Sequence, residues 1–108
     1  MPNLTFYVSK ELLEKMKDMT SLTQNCLSLC VKTLGAELEK VHIIYIPAQL
    51  GYGHPIYVEL IYRFLVSRSS EVMTTFMCEL DQIVQNLFEA IPGIRCFACP
   101  PQQLYAYN

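Results

Sequence analysis

The chain has 108 residues, 52% of them hydrophobic and 17% charged, with a formal charge of -2 at neutral pH. A globule of this length buries roughly 60% to 70% of its unfolded surface, and so few charged side chains cover a small monomer poorly, so self-association is expected. The absence of a Lys/Arg block argues against nucleic acid or an anionic membrane as the main partner, and no apolar run reaches the ~18 to 20 residues of a spanning helix.

No basic segment followed by an apolar one opens the sequence, so a cytoplasmic location is expected. Five scattered cysteines, an odd number, read as reduced thiols rather than a disulfide framework.

Pro2-Asn3-Leu4-Thr5-Phe6-Tyr7-Val8 alternates as a strand does, with a proline at its first position, where the missing N–H costs nothing. Residues 9–34 are helical in character, with apolar side chains from Leu12 to Leu34 at steps of three and four, and Gly35 as the stop. Ser9 is placed to cap the start, and Asp18, Thr20 and Ser21 leave open a later beginning. A second strand is expected over 41–46, apolar on both faces and stopped by Pro47.

The glycines and prolines of 47–55 mark a loop. As a phosphate cradle it lacks the strand-to-helix junction that supplies anion-binding amides. A third strand follows over 56–65, and Ser67-Arg68-Ser69-Ser70-Glu71 opens a second helix whose apolar face runs from Val72 to Phe88, ended by Pro92-Gly93. A short last strand is expected over 95–99, and Pro100-Pro101 stops it.

A shift of 54 residues carries Met19, Leu22, Cys26, Leu29, Cys30 and Leu34 onto Met73, Phe76, Leu80, Ile83, Val84 and Phe88, Pro2 onto Ile56, and His42 onto Cys96. The chain therefore reads as one domain over 1–108, a β-α-β unit written twice, with repeats at 2–46 and 56–99. The expected fold is α/β (α+β): a four-stranded mixed sheet with right-handed crossovers and both helices on one face. The other face then awaits a neighbouring subunit.

Removal of Met1, usual before a small residue, leaves Pro2 with a secondary amine. An α-amino group titrates near about 7.7 to 8.0, and burial near cations lowers that, which makes the amine a general base at neutral pH. Pro2 otherwise simply begins a strand.

A proline after Met1, two β-α-β halves and about fifty residues in each half together resemble the tautomerase superfamily. The repeat resembles 4-oxalocrotonate tautomerase, and the length resembles macrophage migration inhibitory factor. Residues 33–44 are similar to the helix-end and second-strand region of the oxalocrotonate enzymes, with His42 where they place an arginine. Ile46-Pro47-Ala48-Gln49-Leu50 is similar to the Pro-x-Gln-Leu of the inhibitory factor, and Arg68-Ser69-Ser70-Glu71 resembles the Arg-Ser-x-Glu at a helix start shared by several of these enzymes.

The resemblance implies a tautomerase or isomerase that moves a proton within a small carbonyl acid, with Pro2 as base and Arg68 as the carboxylate-binding cation. It also implies a homotrimer with sites between subunits; no cofactor and no metal are expected. The chain departs from the family in having Val8-Ser9-Lys10 where a Gly-Arg-Ser is usual, Ala36 at the loop lysine of the inhibitory factor, and Phe97 and Cys99 at its last-strand tyrosine and asparagine.

Four further assignments complete the site as expected. Arg63 either flanks Pro2 or pairs with Glu59; Arg68 either binds substrate or is solvated; His42 either donates a proton or is structural; Phe97 lines the substrate. Cys96 and Cys99 have the spacing of half a zinc site, but on a strand their sulfurs point to opposite faces. A non-catalytic trimeric binding or regulatory module is the competing reading.

Overall fold

The computed structural model describes residues 2–16 and 18–107. Met1, on which the expected methionine removal falls, lies outside the described residues.

β1 (Asn3–Ser9), β2 (His42–Ala48), β3 (Ile56–Arg63) and β4 (Gly93–Cys99) form one sheet in the order β2-β1-β3-β4. The two outer pairings are parallel and the central β1–β3 pairing is antiparallel. Alternation sends Leu4, Phe6 and Val8 of β1 and Ile56, Val58 and Leu60 of β3 to a single face, each at most 1% exposed. Helices α2 (Met19–Leu34) and α3 (Ser70–Phe88) lie over that face, and Leu22, Cys26, Cys30, Phe76, Leu80 and Val84 complete the core. Sheet and helices together are the α+β arrangement expected from the repeat.

The first helical region is two helices rather than one. Ser9 accepts a hydrogen bond from Leu12 N–H and starts α1 (Lys10–Lys15); Asp18 accepts from Ser21 N–H at 2.9 Å and starts α2 afresh. Two good caps so close together divide the segment, because Ser and Asp side chains compete for the backbone donors of a continuing helix.

Pro47 does not stop β2, which runs on to Ala48. β2 is an edge strand, where a missing N–H is tolerated when it faces outward. β3 ends at Arg63, short of the expected residue 65. α3 ends at Phe88 on Glu89 rather than at Pro92-Gly93, so β4 starts at Gly93, two residues earlier than expected.

The 54-residue relation holds through β1 and β3 and through the ends of α2 and α3, then breaks. Seven residues separate Leu34 from His42, but four separate Phe88 from Gly93. Asn3 pairs with His42, and its counterpart Tyr57 pairs with Gly93, so the structural partner of His42 in the second half is Gly93 and not Cys96. Thr5 and Glu59 are both counterparts and pairing partners, which puts the pseudo-twofold axis between them.

The face away from the helices carries three cross-sheet rows: His42–Asn3–Ile61–Phe97, Ile44–Thr5–Glu59–Arg95 and Ile46–Tyr7–Tyr57–Gly93. Ile44, Ile61 and Phe97 are 50%, 40% and 50% exposed there. Glu59 accepts a hydrogen bond from the Tyr57 hydroxyl at 3.0 Å. No ion pair joins it to Arg63 among the described residues, against one of the two expectations for that arginine.

Candidate active site

Pro2 is fully buried at the entrance to β1, and its carbonyl accepts a hydrogen bond from His42 N–H at 3.0 Å. Because β1 and β2 run parallel, the chain that enters β2 passes beside the chain that enters β1. Because β1 and β3 are antiparallel, the end of β3 comes to the same place. Three segments therefore wall a pocket of about 190 Å³ around Pro2.

The first wall follows α2. Gly35 takes a left-handed conformation, φ 65°, and the N–H of Ala36 reaches back to Cys30 O at 3.2 Å, which turns the chain sharply off the helix. A single 3₁₀ turn, Leu38–Lys40, then brings Glu37 and Lys40 to the same side, where Lys40 Nζ lies 3.2 Å from Glu37 Oε2. Both residues line the pocket.

The second wall is the end of β3 and the turn beyond it, with Arg63, Leu65 and Arg68. Arg68 is 5% exposed, which sets aside the solvated alternative for it. Its Nε donates to Leu34 O at 3.0 Å and its Nη1 to Arg63 O at 2.9 Å, so it satisfies a terminal carbonyl of α2 and the last carbonyl of β3. A positive charge at the C-terminal end of a helix is also favoured by the helix dipole. Burial draws its pKa below the ordinary arginine value, while Tyr62 and Cys30 oppose the shift and Arg63 adds to it; the group stays charged at neutral pH.

The pocket thus unites Pro2, Arg63 and Arg68 of the residues singled out from the sequence. It does not include His42 or Phe97. Both lie on the open sheet face, at opposite ends of one cross-sheet row, on the two edge strands. Glu37 and Lys40 escaped the sequence reading. The signal for them was the parallel β1–β2 pairing, which makes residues just before His42 neighbours of Pro2.

Cys96 shares the helix-covered face with Leu60, and Cys99 pairs with Arg63 on the other face, so the two thiols diverge. Among the described residues no cluster of three or more His, Cys, Asp or Glu is placed to hold a metal ion, and no helix is long and apolar enough to cross a membrane.

The pseudo-twofold relation generates a second location, at the other end of the central strands. A hollow of about 210 Å³ lies there, lined by Leu12, Lys15, Met16, Leu87, Phe88 and Glu89. By the 54-residue shift, Ile56 is the counterpart of Pro2, Glu14 of Arg68 and Glu89 of Gly35, and of these three Glu89 lines the hollow. The chemistry of the first location is absent from the second.

No protein-family model matches the sequence, and no curated protein matches it. Solved structures do match over nearly the whole chain. The macrophage migration inhibitory factor of Toxoplasma gondii is 9% identical with a TM-score of 0.72, covering 96% of this chain and 95% of that one. A fused 4-OT solved as an asymmetric trimer is 17% identical with a TM-score of 0.73, over 96% and 91% of the two chains. N1, a member of the cis-3-chloroacrylic acid dehalogenase family, is 11% identical with a TM-score of 0.74, over 97% and 80%. The fold is that of the tautomerase superfamily.

Proposed function

We propose that the protein is a tautomerase or isomerase that moves a proton within a small carbonyl acid, with the Pro2 amine, freed by loss of Met1, as general base. The observation that carries this reading is a buried proline in a pocket lined by Arg63, Arg68 and the Glu37–Lys40 pair. The two arginines near an amine disfavour its protonated form and stabilise a dienolate as it forms, while the charge of Lys40 is offset by Glu37.

The base takes a proton from the carbon next to the carbonyl and returns it further along the conjugated system. Such a positioned base contributes typically ~10²- to 10⁴-fold, and the electrostatics of the pocket supply the rest. Arg68 has its Nε–H and one N–H of Nη1 committed to backbone carbonyls, which leaves the second N–H of Nη1 and both of Nη2 for a carboxylate.

The assembly in this reading is a homotrimer formed through the open sheet face, in keeping with the trimers among its structural neighbours. His42 and Phe97, on that face, then reach a site as contributions from a neighbouring subunit. The second reading, a non-catalytic trimeric binding or regulatory module, is favoured by the two structural hydrogen bonds of Arg68, which give that residue a purpose without a substrate.

Intact-mass measurement followed by a tautomerase assay on 2-hydroxy-dienoates and phenylenolpyruvates tests the choice, with 3-bromopropiolate as a covalent probe of the Pro2 nitrogen. Turnover together with labelling at Pro2 is the expected result. Protein that lacks Met1 yet neither turns over the panel nor takes the label is the binding module.

A further inference from the structure

The pocket holds an acid of its own. Glu37 and Lys40 face each other across one 3₁₀ turn at 3.2 Å, with side chains 62% and 60% exposed. Exposed ion pairs of this spacing hold weakly, and breaking one shifts an equilibrium by only about 2- to 5-fold. Of the two arginines, Arg63 is exposed and makes no ion pair among the described residues, whereas Arg68 is held from behind. Arg68 gives its Nε–H to Leu34 O and one N–H of Nη1 to Arg63 O, which removes the fork that needs Nε. Lys40 has rotatable donors, a flexible stem and a partner that can be displaced.

We propose that Glu37 stands in for the carboxylate of the substrate, and that Lys40 exchanges Glu37 for that carboxylate when the substrate binds. The inference rests on the pocket taking a small carbonyl acid, as argued above. One carboxylate replaces another on the same ammonium, so the exchange buries no additional unpaired charge. A neutral ligand offers Lys40 at most a carbonyl acceptor without charge, and is expected to leave the Glu37–Lys40 pair intact. The internal pair therefore selects for acids, and it weakens their binding by the strength of the pair it forfeits.

The test is titration with trans-cinnamate, a conjugated acid, and with cinnamamide, its uncharged analogue, followed by amide chemical shifts. Glu37→Gln is expected to tighten cinnamate by about 2- to 5-fold and to leave cinnamamide unchanged. Lys40→Ala is expected to weaken cinnamate by about 5- to 10-fold, and Lys40→Arg to restore most of that. Glu39→Gln removes the same charge from the same turn but lies outside the pocket lining. Its cinnamate affinity is expected to match that of the parent, which separates exchange at Lys40 from a general change of field.

All these side chains are exposed, so the variants fold, and circular dichroism checks that they do. Unchanged cinnamate affinity in both Glu37→Gln and Lys40→Ala overturns the exchange and leaves the carboxylate to Arg63 and Arg68, with the functional reading intact. Equal tightening by Glu37→Gln and Glu39→Gln also overturns it. Absence of cinnamate binding in every variant counts against the exchange and the acid-binding pocket together.

Discussion

Gly35 and Glu89 hold the same left-handed backbone conformation, φ 65° and 56°, at equivalent ends of the two long helices. The position demands the conformation in both halves, and only one half has the residue that adopts it without cost. A carboxylate at a helix C-terminus is, in addition, the wrong charge for the dipole.

Glu89→Gly is therefore expected to stabilise the protein by about 0.5 to 1 kcal/mol, and Gly35→Ala to destabilise it by about 1 kcal/mol. No heavy atom lies within 4 Å of a Cβ placed on Gly35, so the loss comes from backbone conformation and not from crowding. Urea unfolding of the two variants checks both signs; stabilisation by Gly35→Ala would contradict the account.

Arg68 is a poor first target for mutagenesis, because Arg68→Ala leaves Leu34 O and Arg63 O without their donor. A loss of about 2 to 4 kcal/mol in stability is expected for that variant, measured by denaturant titration. Arg63 is exposed, and its side chain makes no ion pair among the described residues. Arg63→Ala should leave stability nearly unchanged and raise the pKa of the Pro2 amine, so the acidic limb of the rate profile moves to higher pH. Pro2→Ala should lower turnover, since a primary amine replaces the secondary one.

The open sheet face predicts assembly. Sedimentation should give a mass near three times the 12.4 kDa chain. Ile61→Asp, in the middle of an exposed row flanked by Asn3 and Phe97, should shift the distribution to smaller species without loss of the fold. A parent protein that sediments as a monomer at micromolar concentration would remove the basis for any site shared between subunits.

Thiol titration gives an alkaline limit to stability. Burial, with the neighbouring Cys30 adding to it, pushes the Cys26 thiol up to about 12; burial, with Arg68 opposing it, takes Cys30 to about 11. Burial also takes Cys96 to about 11. Folded-state values above the unfolded ones mean that the folded chain holds these protons more tightly. Their stabilisation is complete below the unfolded thiol range near 9 and is lost as pH rises from there through 11 to 12. A fall on the order of 4 kcal/mol over that span is expected for Cys26 alone. Cys26→Ala should show a shallower alkaline loss, and Cys78, which is exposed, should be the thiol that reacts first in the folded protein.

How much of this was legible in the sequence follows from how local each feature is. The helical stripes, the alternation of β1 and β3 and the repeat are periodic, and periodicity survives in a single chain. Pro47 misled because a proline reads as a stop until the strand is known to be an edge. His42 was matched to Cys96 because an ungapped shift cannot register three residues missing from the second connection. Pro2 and Arg68 were legible through the resemblance, and the antiparallel pairing of β1 with β3 is what brings them and Arg63 to one place. Lys40 and Glu37 were missed because they enter the pocket from a connection, and a connection carries no period.

The duplication left the two ends of the central strand pair chemically unequal. Where one end has Pro2, Arg68 and Gly35, the other has Ile56, Glu14 and Glu89, and the nitrogen of Ile56 is an ordinary mid-chain amide. Stoichiometry is therefore set by the number of chains and not by the number of β-α-β units. On the proposed reading a trimer would carry six units but three reactive amines, and saturation with the covalent probe should stop at one equivalent per chain.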